Sequence, residues 1–547
     1  MHEHWHKDAI IYSIEVENFK DGNGDGIGDF RGLTRELPYI AGLGFNTIWL
    51  LPFHPTPFLD NGYDVTDYYS VDSRLGTLGE CAEFIHQARS HGLRVIIDLV
   101  VNHTSNQHPW FQEARRDPNS RFRDFYVWKK DKPKDANQGM VFPGVQKSTW
   151  TYDRVAGEYF FHRFYKFQPD LNIWNPAVRS EICRIIGFWL QLGVSGFRVD
   201  AAPFLIEMKG TSSEGGVKEY EYLREFREFL SWRTGDAILL AEANVSLDRI
   251  NQYFGEGDKM HMLFNFILNQ HLFLALAQQD SMPVVEGLLK MPQIPRTCQW
   301  SVFLRNHDEL DLGRLTDAQR QTVFHSFAPQ SNMQLYHRGI RRRLAPMFNG
   351  NVDRLKMAYS LLFSLPGTPV MRYGDEIGMG EDLKLKERDS IRTPMQWSAE
   401  PNGGFSTAPR SQLFRPVISS GPYGYQRVNV AAQRRDPSSL LNFIERCIRL
   451  RKECPHFGRG SWEIIQTSQP AVFAHACTWQ ESTIIAVHNL SEKNCTLELD
   501  LSDFHTKRVG DLLSNEQDLP VKENMLRLAL KGYDHRWLRL SHPAATI

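Results

Sequence analysis

The sequence predicts an α/β protein. A (β/α)8 TIM barrel carries an inserted domain B after its third strand and ends in an antiparallel β-sandwich. Three observations carry this prediction. Eight short apolar runs recur between Ala9 and Glu376, most of them followed by a helical pattern, as parallel strands alternating with helices require. Two long stretches, about 104–177 and 311–351, break the repeat, and loops of that length are functional or form subdomains. After about Cys454 the pattern changes to short alternating strands separated by turn residues. The implied organisation is barrel over 1–103, insertion over 104–177, barrel again over 178–453 with a lid-like insertion at 311–351, and sandwich over 454–547.

Taken in order, the barrel strands are AIIYSIEV, FNTIWLLPF, LRVIIDLVVNH, GFRVDAAPF, AILLAEAN, MLFNFIL, SVFLRNHDE and TPVMRYGDE. The first three and the last are close to continuous apolar runs, the mark of parallel strands buried on both faces. Helices are predicted over LTRELPYIAGL, LGECAEFIHQARSHG and RSEICRIIGFWLQLG, and glycine closes the last two. The insertion at 104–177 is polar and aromatic, with no strong helical pattern. The sandwich strands are SWEIIQ, AVFAHACTW, STIIAVHNL, CTLELDL, MLRLALKG and HRWLRLS.

Bulk composition excludes several classes. Lys and Arg total 63 and Asp and Glu 64, so no basic excess points to nucleic acid or an anionic membrane. Seven scattered cysteines without a CxxC pair argue against a disulfide framework or a zinc site. The start, MHEHWHKDAI, has no apolar signal core and reads as a solvated terminus rather than a metal tract, and no run of about 18 apolar residues occurs. The expectation is a reduced, cytoplasmic, soluble protein.

Chemistry is written at the strand ends, where barrel enzymes place it. The third strand ends in Asp98, Asn102 and His103, and the fourth carries Arg198 and Asp200. The fifth ends in Glu242, and the seventh in Asn306, His307 and Asp308. One acidic residue at a strand end is an ordinary cap. Three carboxylates on three strands of a closed barrel converge, and in the absence of a cysteine or histidine metal cluster they suggest glycoside chemistry. A retaining mechanism needs a nucleophile and an acid/base about 5–5.5 Å apart. Arg198 lies two residues before Asp200 and so on the same side of the strand, where its charge favours the ionised aspartate. Glu242 follows an apolar strand, where desolvation raises a carboxyl pKa toward that of an acid/base.

The runs DLVVNH, GFRVDAA, AEAN and FLRNHDE resemble the four signature regions of the α-amylase family of glycoside hydrolases, and QPDLN resembles the domain-B signature of its oligo-1,6-glucosidase-like branch. The resemblance covers nearly the whole chain. It implies Asp200 as nucleophile, Glu242 as general acid/base, and Asp308 as the third carboxylate on the sugar hydroxyls. It implies His103 and His307 as hydrogen-bonding groups and Tyr63 as a stacking surface. Asp64 and Arg392 would grip the non-reducing end, making a blind pocket for small α-glucosides. The small Ala201 after the nucleophile resembles members acting on α-1,4 linkages. Further runs, including GIRRRLAP, FLRNHDEL, YGDEIGMG and RTPMQW, resemble the branch that isomerises maltose to trehalose. That branch implies transfer within a closed pocket, with the insertion containing GIRRRLAP as a lid. Glu17 and Arg372 depart from its usual residues, which keeps open an α-glucosidase acting on maltose, sucrose or isomalto-oligosaccharides. A non-catalytic barrel partner is the remaining alternative. The expected partner is a small α-glucoside such as maltose or trehalose; homo-oligomerisation stays open.

Two structural calcium sites are expected. DGNGDGIGD places Asp21, Asn23, Asp25, the Ile27 carbonyl and Asp29 in one loop, like the first part of an EF-hand, although position twelve is Gly32. The resemblance implies a second set from Asn102, Asp170, the carbonyls of Phe204 and Leu205, and Glu207.

Overall fold

The computed structural model describes residues 4–541 apart from 211–216, 505, 507 and 515–518. Eight parallel strands close into a ring: β1 (Ile11–Ile14), β2 (Thr47–Leu50), β3 (Arg94–Leu99), β4 (Gly196–Val199), β5 (Ile238–Ala241), β6 (Met262–Phe264), β7 (Gln299–Phe303) and β8 (Thr368–Arg372). Seven fall within the predicted runs, and β7 begins at Gln299, ahead of the run SVFLRNHDE. Closure is made by β1, which pairs in parallel with both β2 and β8.

The two-residue period of a strand decides what faces the ring interior. In β4, Phe197 and Val199 join the outer core beneath the helices, which turns Arg198 inward. In β1, Ile11 points in while Tyr12 and Ile14 point out. The interior is filled by Trp49, Ile96, Ile238, Leu240, Met262 and Phe303, so the barrel is a packed core and not a pore. Gly196 opens β4 at φ 152°, where a Cβ would sit 2.4 Å from the Ile238 carbonyl oxygen; only glycine lets β4 and β5 approach this closely.

The terminus differs from the expectation. The first half of MHEHWH lies outside the described residues, but Trp5 and His6 are 8% and 2% exposed, not solvated. Trp5 joins the apolar cluster of the barrel interior and donates its indole N–H to the Asp236 carbonyl at 2.6 Å. Burying a large indole over an open barrel end outweighs the solvation expected of a polar stretch.

The predicted helix LTRELPYIAGL is two, Phe30–Arg35 and Leu37–Gly42, broken where Pro38 enters the first turn of the second. The insertion at 104–177 does contain a helix, Pro109–Arg116, started by His108, whose ring nitrogen accepts from the Trp110 amide. Two turns burying only Phe111 and Ala114 are too short for a periodic signal. The rest of the insertion is a small antiparallel sheet of Trp128–Lys129, Glu158–Phe161 and Trp150–Asp153. The stretch after β7 holds the helix Asp317–Phe327, with a capping box from Thr316 and Gln319, and a sheet of Leu310–Asp311, Gly339–Ile340 and Gln334–Leu335.

At the C-terminus a six-stranded antiparallel sheet faces a two-stranded ribbon, Cys495–Asp500 and Met525–Leu530, across a core that includes Val472, Ile485, Leu497, Leu526 and Leu538. All six predicted strands are present. Arg508–Asp511 and Leu519–Pro520 are additional, being too short and polar to register as strands in the sequence. Among the described residues no helix is long and apolar enough to cross a membrane.

Candidate active site

The C-terminal ends of the strands open on a cavity of about 400 Å³. Asp200, Glu242 and Asp308 all line it, with Tyr63 and His103, so closure of the ring brings residues from distant parts of the chain to one place. Arg198 lies at its floor, 1% exposed. One face of its guanidinium donates to Asp200 Oδ1 at 2.6 Å and approaches Asp98 Oδ1 at 3.3 Å; its other nitrogen reaches Glu242 Oε2 at 3.0 Å. The placement follows from register. Asp98 on β3 and Arg198 on β4 are direct partners, and Asp200 is the next inward position beyond the arginine. Asp98 is held in turn by the Trp49 indole at 2.9 Å and the Tyr63 hydroxyl at 2.8 Å.

Burial pushes both Asp200 and Glu242 up to about 7, against the opposing pull of Arg198. The expected pairing of Arg198 with Asp200 is formed, and it opposes the rise that burial causes. Two carboxyl groups on one cation titrate together near neutrality, and the shorter guanidinium contact favours the anion on Asp200. Glu242 Oε2 also accepts the Ala201 amide at 3.1 Å. That amide is presented by a left-handed turn, with Ala201 at φ 47° and ψ 39°, a strained conformation for a residue bearing a Cβ.

Asp308 has a different environment. Burial would raise it, but it is held well below the ordinary carboxylate range. His307, whose Nε2 lies 3.1 Å away, is driven down to about 4 by burial and is neutral at pH 7. The charges that keep Asp308 ionised are therefore Arg388 at 2.8 Å and Arg392 at 3.0 Å.

The expected grip between Asp64 and Arg392 is not formed. Asp64 is fully buried away from the cavity, accepting from the Thr56 hydroxyl and the Leu59 and Asp60 amides, and so it shapes its own loop. Arg392 supports Asp308 and donates to the His307 carbonyl at 2.9 Å. On the loops that carry those residues, the ion pair that does form at the cavity wall is Asp60 with Arg388, 2.9 Å apart, and Arg388 also bonds Asp308; all three line the cavity. The sequence offers Asp60 and Asp64 on one loop and Arg388 and Arg392 on another; linear spacing does not say which members meet. Tyr63 lines the cavity and its hydroxyl also bonds His307 Nε2 at 2.7 Å, while His103 Nε2 lies 3.0 Å from the Tyr63 carbonyl oxygen.

Above the cavity the two insertions meet. The Tyr165 and Tyr336 hydroxyls both donate to Glu387 Oε2, at 2.8 and 2.7 Å. The Phe142 ring packs on both tyrosines, and Arg338 donates to the Val141 carbonyl at 3.0 Å.

The two expected calcium sets fare differently. In the first loop, Asp21, Asp25 and Asp29 form no ion pair among the described residues. Asp21 accepts the Asn23, Gly24 and Gly26 amides and the Ser406 hydroxyl; Asp29 accepts those of Gly22, Asn23 and Gly32; Asp25 accepts that of Ile27. An all-oxygen loop with three unpaired carboxylates has the donor chemistry calcium takes. The oxygens are not gathered on one point, and among the described residues no three His, Cys, Asp or Glu side chains form a metal-binding group. The second set does not fit a metal. The Lys209 ammonium stands inside it, 2.6 Å from Asn102 Oδ1 and 2.8 Å from Asp170 Oδ2, and bonded to the Phe204 carbonyl. The Leu205 carbonyl belongs to the same short helix, Ala202–Ile206, and Glu207 is paired with Arg163 at 2.6 Å. A lysine side chain already supplies the cation there.

Comparison with known proteins places this architecture. Residues 13–460 match the model for the α-amylase catalytic domain, and residues 482–539 the C-terminal domain of sucrose hydrolase-like proteins. The chain is 43% identical over 528 residues to a trehalose synthase of Thermus thermophilus, covering 96% of this chain but only 54% of that longer protein. It is 39% identical to the trehalose synthase of Pimelobacter sp. strain R48, covering 99% and 97% of the two chains. Among solved structures, the trehalulose synthase of Pseudomonas mesoacidophila MX-45 superposes with a TM-score of 0.78 at 25% identity, over 98% and 99% of the two chains. The closed eight-stranded ring, the carboxylates at its rim and a family match spanning most of the sequence have one reading: this chain is an enzyme of the α-amylase family of glycoside hydrolases and transglucosylases.

Proposed function

We propose that this enzyme transfers an α-glucosyl unit with retention and isomerises maltose to trehalose. The observation that carries the reading is the pair Asp200 and Glu242 on one guanidinium, in a pocket whose wall is stopped by Asp60 and Arg388. Asp200 attacks the anomeric carbon of the bound glucosyl unit. Glu242 gives its proton to the departing glycosidic oxygen, and the C1–O bond breaks as a β-glucosyl ester to Asp200 forms. Glu242, now a base, takes the proton from the anomeric hydroxyl of the freed glucose. That oxygen attacks C1, the ester bond breaks, and Asp200 is regenerated. Net, an α-1,4 bond becomes an α,α-1,1 bond with no water consumed. Asp308, kept anionic by Arg388 and Arg392, is placed to bind ring hydroxyls and favour positive charge developing at C1.

Isomerisation needs the freed glucose to stay and water to stay out. The contacts of Tyr165, Tyr336 and Glu387 over the cavity support that reading, as does the similarity to trehalose synthases. A calcium ion held by Asp21, Asn23, Asp25, the Ile27 carbonyl and Asp29 would have a structural role, bracing the loop after β1. The substrate is a small α-glucoside. Incubation with maltose decides between the two activities: trehalose largely in place of free glucose is expected. Glucose alone overturns isomerisation and leaves a retaining α-glucosidase. Asp200→Ala is expected to abolish turnover of an aryl α-glucoside; retained turnover would overturn the catalytic assignment.

A further inference from the structure

Lys209 sits where the family resemblance expects a calcium ion. Its side chain is fully buried, as is that of Asp170. An ammonium has three N–H donors, and three oxygen acceptors surround this one: Asn102 Oδ1, Asp170 Oδ2 and the Phe204 carbonyl. These acceptors come from three separate parts of the chain. Asn102 follows β3, Asp170 belongs to the insertion, and Phe204 lies in the helix after β4. The cradle is thus a junction between the insertion and the rim of the barrel. It is also next to the site: Asn102 contacts His103 Nδ1 at 3.1 Å, and His103 and Phe204 both line the cavity.

We propose that the Lys209 ammonium is a built-in replacement for a divalent cation at this junction, and that this chain excludes calcium there. Charge and space both argue for exclusion. A calcium ion needs six to eight oxygens at roughly 2.3–2.6 Å. Here the ammonium occupies the position those oxygens point to, and a second cation within a few ångströms would be repelled in a buried, poorly screened place. The third side chain of the expected set, Glu207, is committed elsewhere, bonding Arg163 Nε at 2.8 Å. The contrast with the loop at 21–29 is internal to the molecule: among the described residues its carboxylates form no ion pair, and Asp170 at the junction does. The consequence is that the insertion stays docked to the barrel without a dissociable metal.

Removing the ammonium should convert the junction into a calcium site, because Asn102, Asp170 and the Phe204 carbonyl remain. Calorimetric titration of the full chain with calcium chloride is the test. Lys209→Ala is expected to bind one more calcium ion per chain than the unaltered enzyme. Its melting temperature should fall by several degrees in chelator and recover when calcium is added. Equal stoichiometry in the two proteins, or no loss of melting temperature in Lys209→Ala, would overturn the proposal. If Lys209→Ala does not fold, crystals of the unaltered enzyme soaked in calcium chloride still decide. Lysine density in contact with Asp170 is expected, and an ion within about 2.4 Å of Asn102 Oδ1 and Asp170 Oδ2 would refute the exclusion.

Discussion

Glu242 and Asp200 share one guanidinium, and burial lifts both to about 7, so on the proposed roles both groups change protonation state near neutral pH. The rate should fall on the acid side, where Asp200 is protonated, and on the alkaline side, where Glu242 loses its proton. A bell in kcat/KM centred near pH 7 is expected; a flat profile from pH 5 to 9 would contradict the assignment. The same shift acts on stability. A carboxyl raised in the folded state stabilises the fold fully below its unfolded pKa, and that contribution is lost as pH rises through the folded value of about 7. Glu242→Gln should therefore raise stability above pH 7 by about 1–2 kcal/mol, discounted because the side chain keeps 24% exposure, and change little near pH 4. Urea unfolding at the two pH values checks the sign. The two loop aspartates should also separate. Asp60→Ala removes one of the two cavity partners of Arg388 and should cost on the order of 100-fold in kcat/KM with a modest stability change. Asp64→Ala removes a buried hub of hydrogen bonds and should cost about 2–4 kcal/mol of stability. Paired kinetics and melting curves distinguish the two patterns.

Three elements that are not barrel strands complete the site, and each carries a residue with strained backbone. Ala201, Tyr336 and Glu387 all have positive φ, at 47°, 53° and 40°. The first presents an amide to Glu242; the other two meet over the cavity, where Glu387, from the segment after β8, bridges a tyrosine of each insertion. Strained residues persist where surrounding structure over-determines them, and for Tyr336 and Glu387 that structure is the pocket roof. Tyr165→Phe combined with Tyr336→Phe removes both hydroxyl bonds to Glu387 while keeping the rings. The double variant should release a larger fraction of glucose from maltose, several-fold above the unaltered enzyme, with glucosyl transfer to Asp200 intact. An unchanged product ratio would show that the roof does not control water access. The roof also shows what pattern reading misses. The short helices and two-residue strands of the insertions are specified by contacts between segments more than a hundred residues apart, as between Tyr165 and Glu387, and they have no periodic signal of their own. The barrel strands have one, because burial on both faces demands unbroken apolar runs.

Across the whole molecule the sandwich is an extension of the barrel core. Phe473, Ile484, Ala486 and Trp537 belong to the same apolar cluster as the barrel helices. The Trp537 indole and His488 Nε2 meet the Ser360 hydroxyl at 3.1 and 3.0 Å, on the helix Val352–Ser364. An interface this apolar couples the two parts in unfolding. Trp537→Ala should cost about 3–5 kcal/mol and lower the melting of the barrel along with that of the sandwich. Calorimetry showing an unshifted barrel transition would refute the coupling.

Strand periodicity, the order of the polar residues and the repeat itself were enough to establish an eight-stranded ring with Asp200, Glu242 and Asp308 at one rim. Those features follow from the two-residue alternation of a strand and the closure of a parallel sheet, both of which are local rules repeated eight times. Partner choice between neighbouring candidates was left to the folded chain. Asp60 rather than Asp64 faces the cavity, Arg388 rather than Arg392 meets it, and Lys209 rather than calcium fills the junction. Each depends on which way a loop side chain turns, and that is set by the charge and the hydrogen-bond donors brought alongside it by distant segments. Such contacts exist only once the ring has closed and the insertions have docked.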